Sequence, residues 1–218
     1  MSKVVCIHGT ESGGSERHAK RLSKTWPKAS FDQSKDFMSG NDAASVGLEA
    51  LAAKYDAFVI VCSSYGDGDP PSNFENFLRA LYTADEGVLA GKQHCVLGYG
   101  STDYETFQNC PRLTDKMLGE CGSRRMAARQ EIDDSGPGED TSKQQMKEFE
   151  TAVAKGMKEA ASKPSVCDWT KPASEILEMT ESDLSGFSVG DGGGPGMMIG
   201  IAVLVAALGA GAYYMELF

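Results

Sequence analysis

The sequence predicts an α/β protein: a doubly wound, five-stranded parallel sheet in the order 2-1-3-4-5, spanning residues 1–163 of 218. Three observations predict it. Short apolar runs alternate with stretches of helical spacing, which implies βαβ crossovers. One of those runs, "DAFVIVCSS" (Asp56–Ser64), is continuously apolar, as expected of a parallel strand covered on both faces. Three of the runs end in glycine-rich polar loops, at the carboxyl edge where such sheets form their ligand crevice.

The elements follow in order. "KVVCIHG" (Lys3–Gly9) reads as the first strand, and "SERHAKRLSKTW" (Ser15–Trp26) as a helix leaving a polar, glycine-rich loop. A short edge strand is expected near Ala29–Asp32, then a helix over Ala44–Lys54. Asp56–Ser64 is the third strand. In "SNFENFLRALYTA" (Ser72–Ala84), Phe74, Phe77, Leu78 and Leu81 recur at helical spacing. "KQHCVLGYG" (Lys92–Gly100) is the fourth strand, followed by a helix over Cys110–Cys121, a weaker strand near Met126–Ile132 and a last helix over Thr141–Ala161.

Composition excludes several classes of function. A net charge of −10 argues against an electrostatic nucleic-acid binder. The 6 cysteines form no C-x-x-C pair, and the 3 histidines show no metal-type spacing, so no zinc or iron–sulfur site is expected. Cys6, Cys62 and Cys95 sit inside strand-like runs as small hydrophobes, which reads as a reducing compartment.

After residue 163 the character changes. Residues 164–196 are rich in Gly, Pro, Ser and acids and read as a linker, with no Lys or Arg after Lys171. Residues 197–218 read as a transmembrane tail anchor. "MMIGIAVLVAALGAGAYYM" (Met197–Met215) has no charged residue. As a helix it would cover roughly 30 Å, the thickness of a bilayer's hydrocarbon core. Tyr213 and Tyr214 stand at one end, where interfacial rings are favoured. A buried core helix is the other reading of such a run. The N-terminus lacks the pattern of a signal peptide, so the first domain is expected to face the cytosol. The acidic flank (Glu178, Glu181, Asp183, Asp191) points to the endoplasmic reticulum rather than the mitochondrial outer membrane, whose tails commonly carry basic flanks.

The chemistry concentrates in three loops that a 2-1-3-4-5 sheet makes neighbours. "GTESGGSE" (Gly9–Glu16) sets hydroxyls and paired glycines just before a helix. Backbone N–H groups, hydroxyls and the helix dipole together suit an anion, although a simple glycine N-cap accounts for the pattern equally well. It contains no Lys, so it is not an ATP-type phosphate loop. "SSYGDGDPPSN" (Ser63–Asn73) and "GYGSTDYETF" (Gly98–Phe107) each present one tyrosine, Tyr65 and Tyr104, among Gly and polar residues. Either ring alone could simply pack on its own helix. Two on adjacent loops can sandwich a flat heterocycle.

These three loops resemble the flavin loops of flavodoxin-like domains, most of all the FMN domains of diflavin reductases such as cytochrome reductases and the sulfite reductase flavoprotein. The resemblance covers residues 3–155 and includes "RLTDKMLGECGSRRM" and "EIDD" after the third loop. It implies that Thr10, Glu11, Ser12, Gly13, Gly14 and Ser15 form the FMN phosphate loop. It assigns the flavin ring to Ser63, Ser64, Tyr65, Gly66, Asp67 and Gly68, and to Gly98, Tyr99, Gly100, Tyr104 and Phe107, with Asp133 after the fifth strand. Glu11 and Gly14 stand where the family more usually has a small polar or amide residue and Asn or Thr. An acid so close to a phosphate must point outward. Asp67 and Asp69 would put negative charge beside the ring and lower its potential, the other reading being that they are simply turn acids.

The function so implied is that of an FMN-dependent electron carrier, tethered to a membrane, serving between a separate FAD/NADPH reductase and an acceptor redox protein. No catalytic residue set and no metal are expected. A flavodoxin-fold membrane adaptor without FMN and a flavodoxin-like quinone reductase are the alternatives.

Overall fold

The computed structural model describes residues 2–85, 87–136 and 138–159. Its strands are β1 (Val4–Gly9), β2 (Phe37–Ser39), β3 (Ala57–Ser63), β4 (Gln93–Gly100), β5 (Arg124–Arg125) and β6 (Gln130–Asp133). Its helices are α1 (Gly14–Ser23), α2 (Gly40–Val46), α3 (Leu48–Lys54), α4 (Glu75–Thr83), α5 (Asn109–Glu120) and α6 (Glu139–Glu159). All strand pairs are parallel and the order is β2-β1-β3-β4-β5, with β6 also on β4. The expected sheet order is the observed one.

The apolar stretches of β1, β3 and β4 occupy the centre, where both faces are covered. Val4, Cys6, Val59, Val61, Cys95 and Leu97 face one layer with Ala19 and Leu22 of α1 and Phe149, Val153 and Met157 of α6. Their alternates, among them Ile7, Phe58, Ile60 and Val96, point the other way and are equally inaccessible. Phe77, Leu78 and Leu81 of α4 and Leu113 and Leu118 of α5 are buried too. Phe74, just before α4, is fully buried between two glycines: a Cβ on Gly9 or Gly40 would lie 2.6 or 2.4 Å from its ring. This close approach holds the end of β1 and the start of α2 against the entry to α4.

Three expected elements lie elsewhere. The edge strand near Ala29–Asp32 is instead a turn after Pro27, whose carbonyl accepts from Ser30 and Phe31. Phe31 is buried edge-on against Trp26, so it fills the core rather than joining a ladder. The true edge strand is β2. The helix over Ala44–Lys54 is two helices, because Gly47 takes a positive φ of 90° between them. It also starts earlier, at a capping box in which Ser39 and Asp42 bond each other's backbone N–H. The fifth strand is split: β5 pairs with Gln93 and His94, β6 with Leu97–Gly100, and Met126–Arg129 intervenes.

An ionic cluster explains how α5 is held beside this split edge. Asp115 on α5 is fully buried and bonded to His94 of β4 (3.1 Å), to Arg129 (2.7 Å) and to Arg125. Arg129 and Arg112 in turn converge on Glu131 of β6, at 2.9 and 2.7 Å. The cluster anchors α5, at whose N-terminus the fourth-strand loop ends.

Among the described residues no helix is long and apolar enough to cross a membrane. The expected linker (164–196) and membrane tail (197–218) lie outside the described residues.

Candidate functional site

The loops after β1, β3 and β4 stand side by side because their strands do, and hydrogen bonds knit them together. At the first loop, the Thr10 amide donates to Asn73 Oδ1 (2.8 Å), at the end of the third-strand loop. Glu11 reaches the same segment, accepting from the Ser72 amide (2.8 Å) and the Ser72 hydroxyl (3.3 Å). Both of its oxygens are therefore engaged with Ser72. The N-cap of α1 is Gly13, at φ 81°, and no side chain caps this helix end. The first-turn N–H groups are left to an external acceptor. Thr10 and Ser15 are buried at the loop's ends, while Ser12 is exposed.

The third-strand loop turns back on itself. Tyr65 N–H donates to the Asp69 carbonyl (2.8 Å) and Gly68 N–H to the Tyr65 carbonyl (3.1 Å). Gly66 and Gly68 both have positive φ, 53° and 102°. At Gly68 a side chain is also sterically barred, since a Cβ would fall 2.5 Å from Asn109 Nδ2 and 2.8 Å from Thr106 Cβ. The third and fourth loops therefore touch here. Ser64 joins them a second time, its Oγ accepting from the Cys110 amide at 3.1 Å. Ser63 is half-buried at the end of β3, and Asp67 and Asp69 are exposed.

The fourth loop is braced from the end of β6 and the turn after it. Asp133 accepts from the Thr102 amide (3.0 Å), the Thr102 hydroxyl (2.7 Å) and the Ser135 amide (3.0 Å). The hydrogen bond from the Thr102 side chain, then those from the two amides, hold its carboxyl below the usual carboxylate value. Ser135 Oγ completes the brace, donating to Asp103 and meeting Ser101 Oγ, at 2.6 Å each. Phe107 packs against Gly100 and lies under the Arg112 guanidinium.

The two tyrosines expected to sandwich a flat ring are among the most exposed large apolar side chains described, Tyr65 at 57% and Tyr104 at 64%. Tyr99 differs. Its ring is buried, stacked on His18 at 4.6 Å, and its hydroxyl donates to Met146 Sδ. Tyr99 thus offers the crevice its backbone rather than its ring. Gly98 lies below the crevice floor, pressed against Gln108 and Pro111.

The loops after β1, β3 and β4 lie where a doubly wound sheet binds its ligand, and the family model for flavodoxin matches residues 7–149. The chain belongs to the flavodoxin family.

Relatives and solved structures agree with this membership. Methionine synthase reductase of Caenorhabditis elegans is 29% identical over 137 residues, 62% of this chain and 19% of that protein. Human NADPH–cytochrome P450 reductase is 30% identical over 124 residues, 56% and 18%. The bifunctional cytochrome P450/NADPH–P450 reductase 1 of Bacillus subtilis is 42% identical over 134 residues, 61% and 12%. The chain therefore spans less than a fifth of the length of each. Oxidised flavodoxin 2 from Bacillus cereus superposes with a TM-score of 0.56 at 24% identity, covering 70% of this chain and 97% of that one. That likeness speaks for the flavodoxin fold.

Flavodoxins bind FMN, and the residues present fit it. The uncapped, glycine-led start of α1 suits a phosphate. Two exposed tyrosines on adjoining loops suit a flat ring. Reading the sequence missed four contributors: Asn73 and Ser72, which tie the first loop to the third, Ser135, which braces the fourth, and Arg17, whose guanidinium lies over Gly13. Ser72 and Asn73 close the quoted third-strand loop, while Ser135 and Arg17 lie outside the three loops; each acts through a contact between segments distant in sequence or across one helical turn.

Proposed function

We propose that this chain is an FMN-binding electron carrier, held at a membrane by residues 197–218 and served by a separate FAD-containing NAD(P)H reductase. The observation that carries the reading is the meeting of an open helix N-terminus with two exposed tyrosines at neighbouring strand ends. FMN supplies one- and two-electron chemistry when bound. The protein's share is to bind and orient. The β1 loop takes the phosphate with Thr10, Ser12, Ser15 and the amides of Gly13 and Gly14. Tyr65 and Tyr104 cover the ring, and Asp67 and Asp69 set negative charge beside it.

The relatives support a carrier role. Their names describe reductases, two of them NADPH-linked and one of those two fused to a cytochrome P450, and the stretch shared with this chain is under a fifth of each. We assign to this chain the flavin-carrying step, with nicotinamide oxidation left to a partner and a haem or other redox protein as acceptor. Exposed acids on the loops, Asp67, Asp69, Asp103 and Glu105, would steer basic partner surfaces. The uncharged Met197–Met215 segment would provide the tether, with the flavodoxin domain in the cytosol and the acidic flank favouring the endoplasmic reticulum.

Absorbance and stopped-flow measurements on the purified chain test this. A flavin spectrum, release of FMN on denaturation, slow reaction with NADPH alone and fast reduction on adding an FAD-containing reductase are expected. Rising salt should slow that reduction. A colourless protein that takes up no FMN would leave an adaptor. Fast bleaching by NADPH without a reductase would point to a quinone reductase.

A further inference from the structure

From the FMN reading above, and from the surroundings of Gly13, we infer that Arg17 is the cationic partner of the ligand's phosphate, and that it makes this site prefer phosphorylated over unphosphorylated flavin.

Charge at the loop sets the need. A phosphate monoester carries about −1.5 to −2 near pH 7. The helix terminus offers roughly +0.5. The loop holds no Lys or Arg, and Glu11 adds a further negative charge. The donors alone leave an anion under-compensated in a chain whose net charge is −10.

Arg17 is placed to supply the difference. Helical side chains lean toward the N-terminus, so Arg17 on the first turn of α1 reaches back toward the N-cap. A Cβ built on Gly13 would lie 3.6 Å from Arg17 Nη1, while the Arg17 amide donates to the Gly13 carbonyl at 3.1 Å. The neighbouring acids are engaged elsewhere. Glu11 is bonded to Ser72, and Glu16 is bonded to Lys20 one turn on. The Arg17 guanidinium makes no ion pair or hydrogen bond with another described side chain. It is exposed, so it can swing over the loop without leaving a buried charge behind. The planar guanidinium can also meet two phosphate oxygens at once, which an ammonium does less well.

The test compares FMN and riboflavin binding to the purified chain by flavin fluorescence titration, in wild type, Arg17→Gln and Arg17→Lys. At low salt, Arg17→Gln should weaken FMN about five- to tenfold and change riboflavin less than twofold. Arg17→Lys should recover part of the loss, and the wild-type advantage should shrink at about 0.5 M salt. Wild-type FMN affinity should rise between pH 5 and 8 as the second phosphate proton, with a pKa near 6, is lost. That rise should be smaller in Arg17→Gln. Unchanged FMN affinity in Arg17→Gln, or equal loss of both flavins, would overturn the inference and leave the FMN reading standing. A wild-type chain that binds neither flavin would remove the FMN reading itself.

Discussion

The Glu11 carboxylate accepts from both the amide and the hydroxyl of Ser72, 61 residues further along the chain. This acid therefore links the β1 loop to the segment leading into α4. Two effects compete at this position. The bonds to Ser72 order the loop and are worth about 1.5–3 kcal/mol for a charged acceptor, less where water competes. The charge repels a phosphate nearby. Glu11→Gln keeps an acceptor for Ser72 and removes the charge, so FMN affinity should rise a few-fold while riboflavin affinity stays level. Calorimetric titration of both ligands checks it; a fall in FMN affinity would mean that the ordering of the loop outweighs the repulsion.

Tyr104 is 64% exposed and contributes little to the apo fold. Tyr104→Ala should thus leave the thermal midpoint of the apoprotein unchanged yet weaken FMN, because a stack is worth about 0.5–1.5 kcal/mol beyond its area. Tyr65→Ala should act similarly or chiefly shift the flavin potential. Equal FMN affinity and potential in both variants would remove the sandwich.

Acid should destabilise the domain in two stages. Burial lowers the pKa of His94 despite the pull of Asp115, so it stays neutral in the fold while the unfolded chain takes up a proton near pH 6.5. The unfolded state then binds more protons, and stability falls as pH drops below about 6.5. Desolvation would raise Asp115, but its hydrogen bonds from His94 and Arg125 outweigh that and hold it well below the usual carboxylate range. Its contribution is lost as pH falls below about 4. Thermal unfolding followed by circular dichroism should show a falling midpoint between pH 7 and 5 and a second loss below 4. His94→Gln should make the first stage shallower, leaving the share of His8 and His18, which burial also holds below the usual imidazole value; an unaltered slope there would assign the stage to those groups.

The chain truncated after Lys163 should partition to the aqueous phase of cell extracts, while the full chain stays with membranes after alkaline carbonate washing. The uncharged Met197–Met215 segment motivates this. Full-length protein released by the wash would mean that the segment does not span a bilayer.

Sheet order and the central strands were legible because β1, β3 and β4 each carry an unbroken apolar stretch (Val4–Ile7, Ala57–Cys62, Cys95–Leu97), and two-sided burial explains such runs. The edge was less legible. Phe31 looked like strand material and is core filler, while Phe37–Ser39, with a single apolar pair, is the strand. An edge strand is covered on fewer sides, so its composition says little about its place. Likewise β5 and β6 are too short to show a period; their place is set by pairing to β4.

The sequence by itself determined which residue types stand at the ends of three strands: hydroxyls and glycines at the first, a tyrosine among glycines at the third and fourth. Local chemistry suffices for that, since glycine and tyrosine in a strand-end loop carry their meaning wherever the loop lies. Only the tertiary structure decided what each side chain faces. It turned Tyr99 into the core against His18, gave Glu11 to Ser72, set Asp133 to brace Thr102 and brought Arg17 over Gly13. Contacts between distant segments follow from how helices and loops pack on the sheet, and no spacing along the chain encodes that packing.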